Sequence, residues 1–289
     1  MGSVSGEMEE QAPGGPRPEL SIVIPAYNEA RRLPESIAHL QSYLQKQRYL
    51  SEIIVVDDGS EDSTASVVRS WMGRWHALRL IQAGRQGKGG AARAGVLAAQ
   101  GEWIYLADAD FSVPIEELPR FLTNNPPRED LRIGSREAPG AHRYGEPYFR
   151  HVMGRVFNLL ARALVTPGIA DTQCGFKLIR REAARDLCLH QTIPGWTFDV
   201  EWLSIAQARG YNIREVPVPW YYRPGSKVHP MRDTLAMLCD LFTIRRNAAR
   251  GRYKRRVLTH PSFAPEAAVI ASFEVEEAGA ANTAASMQE

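Results

Sequence analysis

The chain has 289 residues, of which 44% are hydrophobic and 24% charged, and its 35 Lys and Arg exceed its 33 Asp and Glu by a formal charge of +2. This composition is typical of a globular protein with a large core and excludes fibrous and broadly disordered classes. The small net charge argues against a basic nucleic-acid-binding protein, so no nucleic acid partner is expected. Three separated cysteines without metal-ligand spacing argue against disulfides and a zinc site and favour a reducing, cytoplasmic compartment.

In the first half of the chain, apolar segments alternate with segments of helical periodicity. Residues 1–19 come first; they hold four acids and one base, which predicts a disordered leader with neither a secretory signal nor a membrane span. The first strand is expected to be broken by Pro25. Strands separated by helices predict a parallel sheet whose ligand site lies at the carboxyl ends of the strands. The strands are predicted within residues 20–29, 51–60, 77–83 and 102–110.

The second half is predicted to mix strands and helices. Residues 151–164 are expected to be helical, with Val152, Val156 and Leu159 on one face. Residues 257–289 contain no Lys or Arg and are predicted to be a flexible tail, which leaves one catalytic domain at 20–256. The remaining elements are predicted as a strand at 131–136, a mixed strand and helix at 175–189, a helix at 200–210, a strand at 211–222 and a helix from 232.

Charge is unevenly distributed along the sequence. The two ends are acidic, so residues 20–256 carry a net charge of +10. Seven of these bases crowd into Arg245–Arg256, directly after a short apolar helical stretch. Such a segment predicts a peripheral contact with an anionic membrane, at about 1 kcal/mol per basic residue near the surface. A core helix with a solvated basic end remains the alternative, because apolar residues surround Asp240 on nearly every helical face.

A pair of carboxylates follows the fourth predicted strand. Asp108 and Asp110 are one residue apart at the carboxyl edge of the sheet, where they can share Mg²⁺ or Mn²⁺ that bridges a diphosphate. Asp57 and Asp58 end the second strand at the same edge, where one can accept from a base N–H or a ribose hydroxyl. Capping of the next helix is the alternative role of these two acids.

Two further segments predict contacts with a nucleotide. Gly87-Lys88-Gly89-Gly90 opens a helix, where Lys88 and backbone N–H groups can meet an anion, although the spacing is not that of a P-loop. Pro25-Ala26-Tyr27-Asn28-Glu29 follows the first strand, where Tyr27 can wall a base and Glu29 can supply polar contacts. A capped turn is the alternative for the second segment.

Four segments of the first half resemble, in their order and spacing, the nucleotide-sugar half of the family 2 glycosyltransferases of GT-A fold. They are SIVIPAYNE, VVDDGS, GKGGA and ADAD. Downstream, the segments at 171–177 (DTQCGFK), 196–201 (WTFDVE) and 225–227 (GSK) resemble the dolichyl-phosphate β-glucosyltransferases and are similar to polyprenyl-phosphate mannose synthases. The resemblance covers about residues 19–252. It implies an α/β GT-A fold, with a Rossmann-like, mostly parallel sheet flanked by helices.

The resemblance implies an inverting transfer of a hexose, foremost glucose from UDP-glucose, to a polyprenyl or dolichyl phosphate at the cytoplasmic membrane face. An acceptor phosphate has a second pKa of about 6 and is already nucleophilic at neutral pH, so cations and a metal matter more than a general base. Catalytic roles are expected for Asp108, Asp110, Arg136 and Asp199, and metal binding for Asp108 and Asp110. Donor binding is expected for Pro25, Tyr27, Glu29, Asp57, Asp58, Lys88 and Asp108. Binding of the acceptor phosphate is expected for Arg136, Arg143, Arg150 and Lys227.

Three alternatives stay open at this point. The donor can be GDP-mannose, since the motifs do not determine the base or the sugar. The acceptor can be a soluble hydroxyl compound, in which case Asp199 or Glu201 would supply the base that an inverting mechanism needs. A nucleotide-sugar-binding regulator without turnover is the non-enzymatic alternative, against which the Asp108 and Asp110 pair argues.

Overall fold

The computed structural model describes residues 17–122, 129–225, 227 and 232–254, with the side chain of Arg232 excepted. The predicted tail at 257–289 lies outside the described residues, and so do most of the predicted leader and the last two residues of the basic block. The boundaries predicted for these segments therefore stay predictions.

The described chain alternates strands with helices, as the sequence predicts. Its strands are β1 (Leu20–Ala26), β2 (Ser51–Asp57), β3 (Leu78–Gln82), β4 (Trp103–Leu106), β5 (Leu131–Ser135), β6 (His142–Tyr144), β7 (Lys177–Arg180), β8 (Ile213–Pro217) and β9 (Pro219–Tyr221). Its helices are α1 (Leu33–Leu44), α2 (Thr64–Met72), α3 (Lys88–Ala98), α4 (Leu118–Leu122), α5 (Tyr148–Leu164), α6 (Arg181–His190), α7 (Phe198–Arg209) and α8 (Arg232–Ala249), with a 3₁₀ turn at Ile115–Glu117.

Seven strands form one sheet in the order β3-β2-β1-β4-β7-β5-β8. Only β7 runs against its neighbours β4 and β5, and the other pairings in this sheet are parallel. The remaining two described strands, β6 and β9, pair with each other. The expectation of an α/β, mostly parallel sheet flanked by helices is confirmed.

The sheet is covered on both faces, which is why β1 and β2 are continuous apolar runs. Side chains of a strand alternate between its two faces. Val23 and Ile54 accordingly pack in the cluster that includes α3, α6 and α7, whereas Ile22 and Ile53 pack in the cluster that includes α1 and α2.

Two segments differ from the sequence-based expectation. Pro25 lies inside β1 and does not break it, because β4 pairs only with Leu20–Val23 and leaves Pro25 with a strand neighbour on one side. The single strand expected at 211–222 is two strands. They separate at Val218, after which β9 leaves the large sheet to pair with β6.

The helix predicted at 151–164 is present as α5, but its apolar face is solvent-exposed, including Val152, Val156 and Leu159. The side of α5 that packs into the protein presents Phe157, Asn158 and Ala161. Among the described residues, no helix combines the length and the hydrophobicity required to cross a bilayer.

Candidate active site

A cavity of about 870 Å³ lies at the carboxyl edge of the sheet. The ends of β1, β2, β4 and β5 point toward this edge, and the antiparallel β7 starts there, which brings the segment at 171–177 to the same place. The predicted site residues that line the cavity are Pro25, Tyr27, Glu29, Asp58, Lys88, Asp108, Asp110, Arg136, Arg143, Arg150, Asp199 and Lys227.

Asp57 is the one predicted site residue that does not line this cavity. Its side chain is buried at the end of β2, and Oδ1 accepts a hydrogen bond from the Ser60 backbone N–H at 3.0 Å. This contact closes a local turn at residues 57–60 and is not the capping of the next helix given as the alternative, because α2 starts only at Thr64 and has no side-chain cap. The neighbouring Asp58 instead accepts from the N–H groups of Gln86 at 2.6 Å and Gly87 at 3.0 Å, so it holds the turn that precedes α3. Burial raises the pKa of Asp58.

The start of α3 is occupied by protein groups. The Pro194 carbonyl oxygen accepts from Gly89 N–H at 2.8 Å and from Gly90 N–H at 3.1 Å. The expectation that these backbone groups meet an anion is therefore wrong in this conformation. Lys88 keeps its side chain in the cavity, where Nζ donates to Asp108 Oδ1 at 2.6 Å.

Asp108 and Asp110 have opposite pKa shifts. Burial would raise the pKa of Asp108, but the Lys88 ammonium outweighs it and lowers that pKa. For Asp110, burial and then the Asp108 carboxylate raise the pKa. Phe111, the next residue, has a φ of 44°, a left-handed conformation that is rare for bulky side chains and typical of functional turns. Ser112 N–H donates to Asp110 Oδ1 at 3.0 Å and fixes this turn.

The pair fits a hard divalent cation. Within the described ranges, no group of three or more His, Cys, Asp and Glu side chains is arranged around a common point. Mg²⁺ and Mn²⁺ sites that bind phosphate substrates need only one or two carboxylates, because the substrate supplies further oxygens. A Cβ atom at Gly175 would lie 1.8 Å from Asp108 Oδ2, so this glycine leaves the room that the carboxylate occupies.

Arg32 is a cavity residue that the sequence analysis missed. Its guanidinium pairs with Glu29 at 2.6 Å, approaches Asp110 at 3.4 Å and donates to the Gly225 carbonyl at 2.9 Å. It thereby joins the segment after β1 to the carboxylate pair and to the segment after β9. The spacing of Glu29 and Arg32 is the signal that could have found it, since side chains three residues apart in a helical turn are neighbours.

Tyr27 lies against a cation. The Arg85 guanidinium carbon is 3.4 Å from the centroid of the Tyr27 ring, and both residues line the cavity. One face of the ring expected to wall a base is thus covered by a cation–π contact.

The four predicted acceptor cations line the same cavity. Arg136 makes a bidentate contact with Asp171, with Nε and a terminal nitrogen at 2.7 and 2.9 Å from the two carboxylate oxygens. Burial opposes the shift, but this guanidinium lowers the pKa of Asp171 to about 2. Arg143 pairs with Glu146 at 2.8 Å.

The remaining two predicted acceptor cations are not held by ion pairs that the structure shows. The Arg150 guanidinium carbon lies 5.7 Å from the centroid of the Tyr222 ring, and Lys227 lines the cavity with an exposed side chain. These two side chains can reorient toward an anion at smaller cost than Arg136.

Asp199 is held by a buried ammonium. Lys177 Nζ lies 2.6 Å from Asp199 Oδ1 and also donates to the Cys174 carbonyl at 2.6 Å. Both side chains are buried, although Asp199 reaches the cavity wall. Glu201, the other acid considered as a base, is fully buried. It accepts from the Ile193 N–H at 2.7 Å and from the Tyr253 hydroxyl at 2.7 Å.

Comparison with known proteins agrees with this architecture. The sequence profile described as "Glycosyl transferase family 2" matches residues 21–188. A dolichyl-phosphate beta-glucosyltransferase of Mus musculus is 39% identical over 258 residues, which cover 83% of this chain and 78% of the relative. A protein of the same name from Homo sapiens is 37% identical, and the match covers 83% of this chain and 78% of that protein. Another from Saccharomyces cerevisiae is 32% identical, and the match covers 81% of this chain and 76% of that protein.

Two solved structures share the fold. A mannosyltransferase from Pyrobaculum calidifontis, in complex with GDP-Man and Mn²⁺, is 24% identical with a TM-score of 0.54; the match covers 81% of this chain and 65% of that one, just under two thirds. Glucosyl-3-phosphoglycerate synthase from Mycobacterium tuberculosis, in complex with Mn²⁺ and UDP-glucose, is 20% identical with a TM-score of 0.55, and 79% of each chain is covered. The chain therefore belongs to glycosyl transferase family 2 and is a glycosyltransferase of GT-A fold.

Proposed function

We propose that this enzyme transfers glucose from UDP-glucose to a polyprenyl or dolichyl phosphate, with inversion, at the cytoplasmic face of a membrane and with Mg²⁺ or Mn²⁺. The curated relatives named dolichyl-phosphate beta-glucosyltransferase support the sugar and the acceptor, because their similarity extends over most of the chain. The related fold that binds Mn²⁺ and UDP-glucose is compatible with the donor and the metal.

The observation that carries the proposal is the composition of the cavity. A carboxylate pair, Asp108 and Asp110, lines the same cavity as four predicted acceptor cations, Arg136, Arg143, Arg150 and Lys227. Such a site suits a reaction between two anionic reactants, a nucleoside diphosphate sugar and a phosphate.

The state of Asp199 favours a phosphate acceptor over a hydroxyl acceptor. A carboxylate that acts as general base needs a pKa near the working pH and access to the proton that it removes. Asp199 is instead buried, and its Oδ1 lies 2.6 Å from the Lys177 ammonium, so an acceptor hydroxyl has restricted access to this carboxylate. A phosphate monoester needs no such base, because it is already largely ionised at neutral pH.

The residues of the cavity divide the work between the two substrates. Asp108 and Asp110 would hold the divalent cation, which when bound stabilises the charge that develops on the leaving diphosphate. Lys88, which already contacts Asp108, lies where it can bind the same diphosphate. Arg136 and Arg150 bind the acceptor phosphate and orient one of its oxygens toward the anomeric carbon, on the side opposite the leaving group.

The test is release of UDP by the purified enzyme on addition of polyprenyl phosphate, with and without Mn²⁺. UDP-glucose, UDP-galactose and GDP-mannose are compared as donors, and a soluble hydroxyl compound is compared with the lipid as acceptor. We expect metal-dependent release with UDP-glucose and the lipid, and its loss in Asp110→Ala. Tight binding of UDP without release in the presence of any lipid acceptor would overturn the proposal in favour of a binding protein.

A further inference from the structure

Helix α5 presents a continuous apolar face to solvent. A helix advances by about 100° per residue, so the exposed apolar residues of α5 lie within one sector of about 140°. Leu159, for example, is 63% exposed. The residues of this sector, called the α5 apolar face below, are Tyr148, Phe149, Val152, Met153, Val156, Leu159 and Leu160.

Cations border the face on one side. Arg155 and Arg162 are exposed, and in a helical projection they lie directly beside the apolar sector. An exposed apolar sector beside a basic edge is the pattern of helices that lie in the interfacial region of a bilayer. Basic side chains at such an edge meet the anionic headgroups of the cytoplasmic leaflet.

The helix that packs beside α5 also exposes apolar side chains. α8 packs beside α5, and it exposes Leu235 and Phe242 while burying Leu241 and Ile244 in the core. The exposed bases Arg245 and Arg246 follow on the same helix. Two bases of the basic block, Arg245 and Arg246, therefore lie on a helix that packs against α5.

The active-site cavity is lined by residues of the same two helices. Phe149 and Met153 belong to the α5 apolar face and also line the cavity, as does Met237 of α8. Arg150, between the two apolar residues of α5, lines the cavity as well. The exposed apolar surface is thus adjacent to Arg150, one of the predicted acceptor cations.

We propose that the α5 apolar face inserts into the interfacial region of a bilayer and brings the cavity to the lipid surface. We assign a bilayer rather than a second copy of this chain as the partner of this surface. A second copy that packed on Phe149 and Met153 would cover part of the cavity wall where the acceptor is expected. The part of this inference that concerns delivery of the lipid acceptor rests on the proposed function. The binding of the α5 apolar face to vesicles does not depend on that function.

The experiment measures partitioning of the full chain onto vesicles without any substrate. Vesicles of phosphatidylcholine alone are compared with vesicles that contain about 30% phosphatidylserine, since surface charge should add to the apolar term. The variant is Val156→Glu with Leu159→Glu, two positions that do not line the cavity. The matched control is Leu189→Glu on α6, because Leu189 is 66% exposed and also lies outside the cavity.

We expect the parent and the Leu189→Glu control to bind anionic vesicles alike, and the α5 variant to bind about tenfold or more weakly. Transfer to a short, water-soluble isoprenyl phosphate should stay within about twofold of the parent in the α5 variant. Transfer to long-chain polyprenyl phosphate in vesicles should fall. Thermal unfolding checks the fold, and the neutral pair Val156→Gln and Leu159→Gln repeats the test if the glutamates lower expression.

Equal vesicle binding by the parent and the α5 variant would overturn the inference, and so would a parent that binds no vesicles. A parent that is dimeric and binds no vesicles, with an α5 variant that is monomeric, would assign the face to a second copy. If the α5 variant loses vesicle binding while no donor and acceptor pair gives turnover, the inference on the surface stands and the proposed function fails.

Discussion

Gly175→Ala should weaken metal binding at the proposed site of Asp108 and Asp110 without unfolding the protein. The added Cβ would lie 1.8 Å from Asp108 Oδ2 and 2.4 Å from its Cγ, whereas ordinary contacts begin at 3.4 Å. The carboxylate must therefore move by more than 1 Å, which also breaks its 2.6 Å contact with Lys88. A misplacement of this size costs on the order of 100-fold in rate, and displaced ligands weaken metal binding by about 10- to 100-fold. The clash is with one side chain, so the fold should persist.

Titration of Mn²⁺ in the presence of UDP, followed by the electron paramagnetic resonance signal of free Mn²⁺, measures this change independently of turnover. The matched control is Gly154→Ala. Gly154 also lines the cavity, but its added Cβ would have no atom within 4 Å. We expect the control to bind Mn²⁺ as the parent does. A Gly175→Ala variant with the affinity and the rate of the parent would refute the reasoning that this glycine makes room for Asp108.

Two further predictions concern the cations of the cavity. Arg150→Ala should raise the KM for a short, water-soluble isoprenyl phosphate about tenfold and leave the KM for the donor nearly unchanged. Arg155→Ala is the control with this acceptor, which does not depend on a membrane surface. Equal effects of Arg150→Ala on both constants would contradict the acceptor role. Asp171→Asn should lower the free energy of unfolding by about 2 kcal/mol at pH 7, because Arg136 holds the pKa of Asp171 near 2 in the folded state against 3.8 in a free side chain. The stabilisation of the folded state by ionised Asp171 is complete above about pH 4 and is lost as the pH falls through 2. Denaturant unfolding at several pH values should therefore show the free energies of unfolding of the parent and the variant converging in acid. A difference in free energy that stays constant with pH would exclude the ion pair as its source.

The sequence was informative wherever a local pattern determines position. Apolar runs that end in acids place Asp58, Asp108 and Asp110 at one edge of a parallel sheet, because the carboxyl ends of parallel strands meet there. The segment at 171–177 reaches the same edge for a different reason, since β7 is antiparallel and begins where its neighbours end. No local periodicity reveals that reversal. Resemblance to a family supplied this part of the prediction.

Contacts between distant segments could not be read from local patterns. The Pro194 carbonyl occupies the N–H groups of Gly89 and Gly90 because the chain folds back over the start of α3, more than a hundred residues later. The exposure of Val156 and Leu159 was equally hidden. Helical periodicity shows that these side chains share a face, but it does not show whether a partner covers that face.

A buried series of hydrogen bonds connects the last described residues of the protein to the start of α3, beside Lys88. The Tyr253 hydroxyl, which follows α8, donates to Glu201 of α7 at 2.7 Å, and Glu201 also accepts from Ile193 N–H. Pro194, the next residue, accepts from the first turn of α3, one residue after Lys88. Glu201 is fully buried, so each of its donors offsets part of the cost of removing a carboxylate from water. This acid therefore acts as a structural anchor for the cavity wall, because the donors that satisfy its carboxylate hold the 192–194 segment in place.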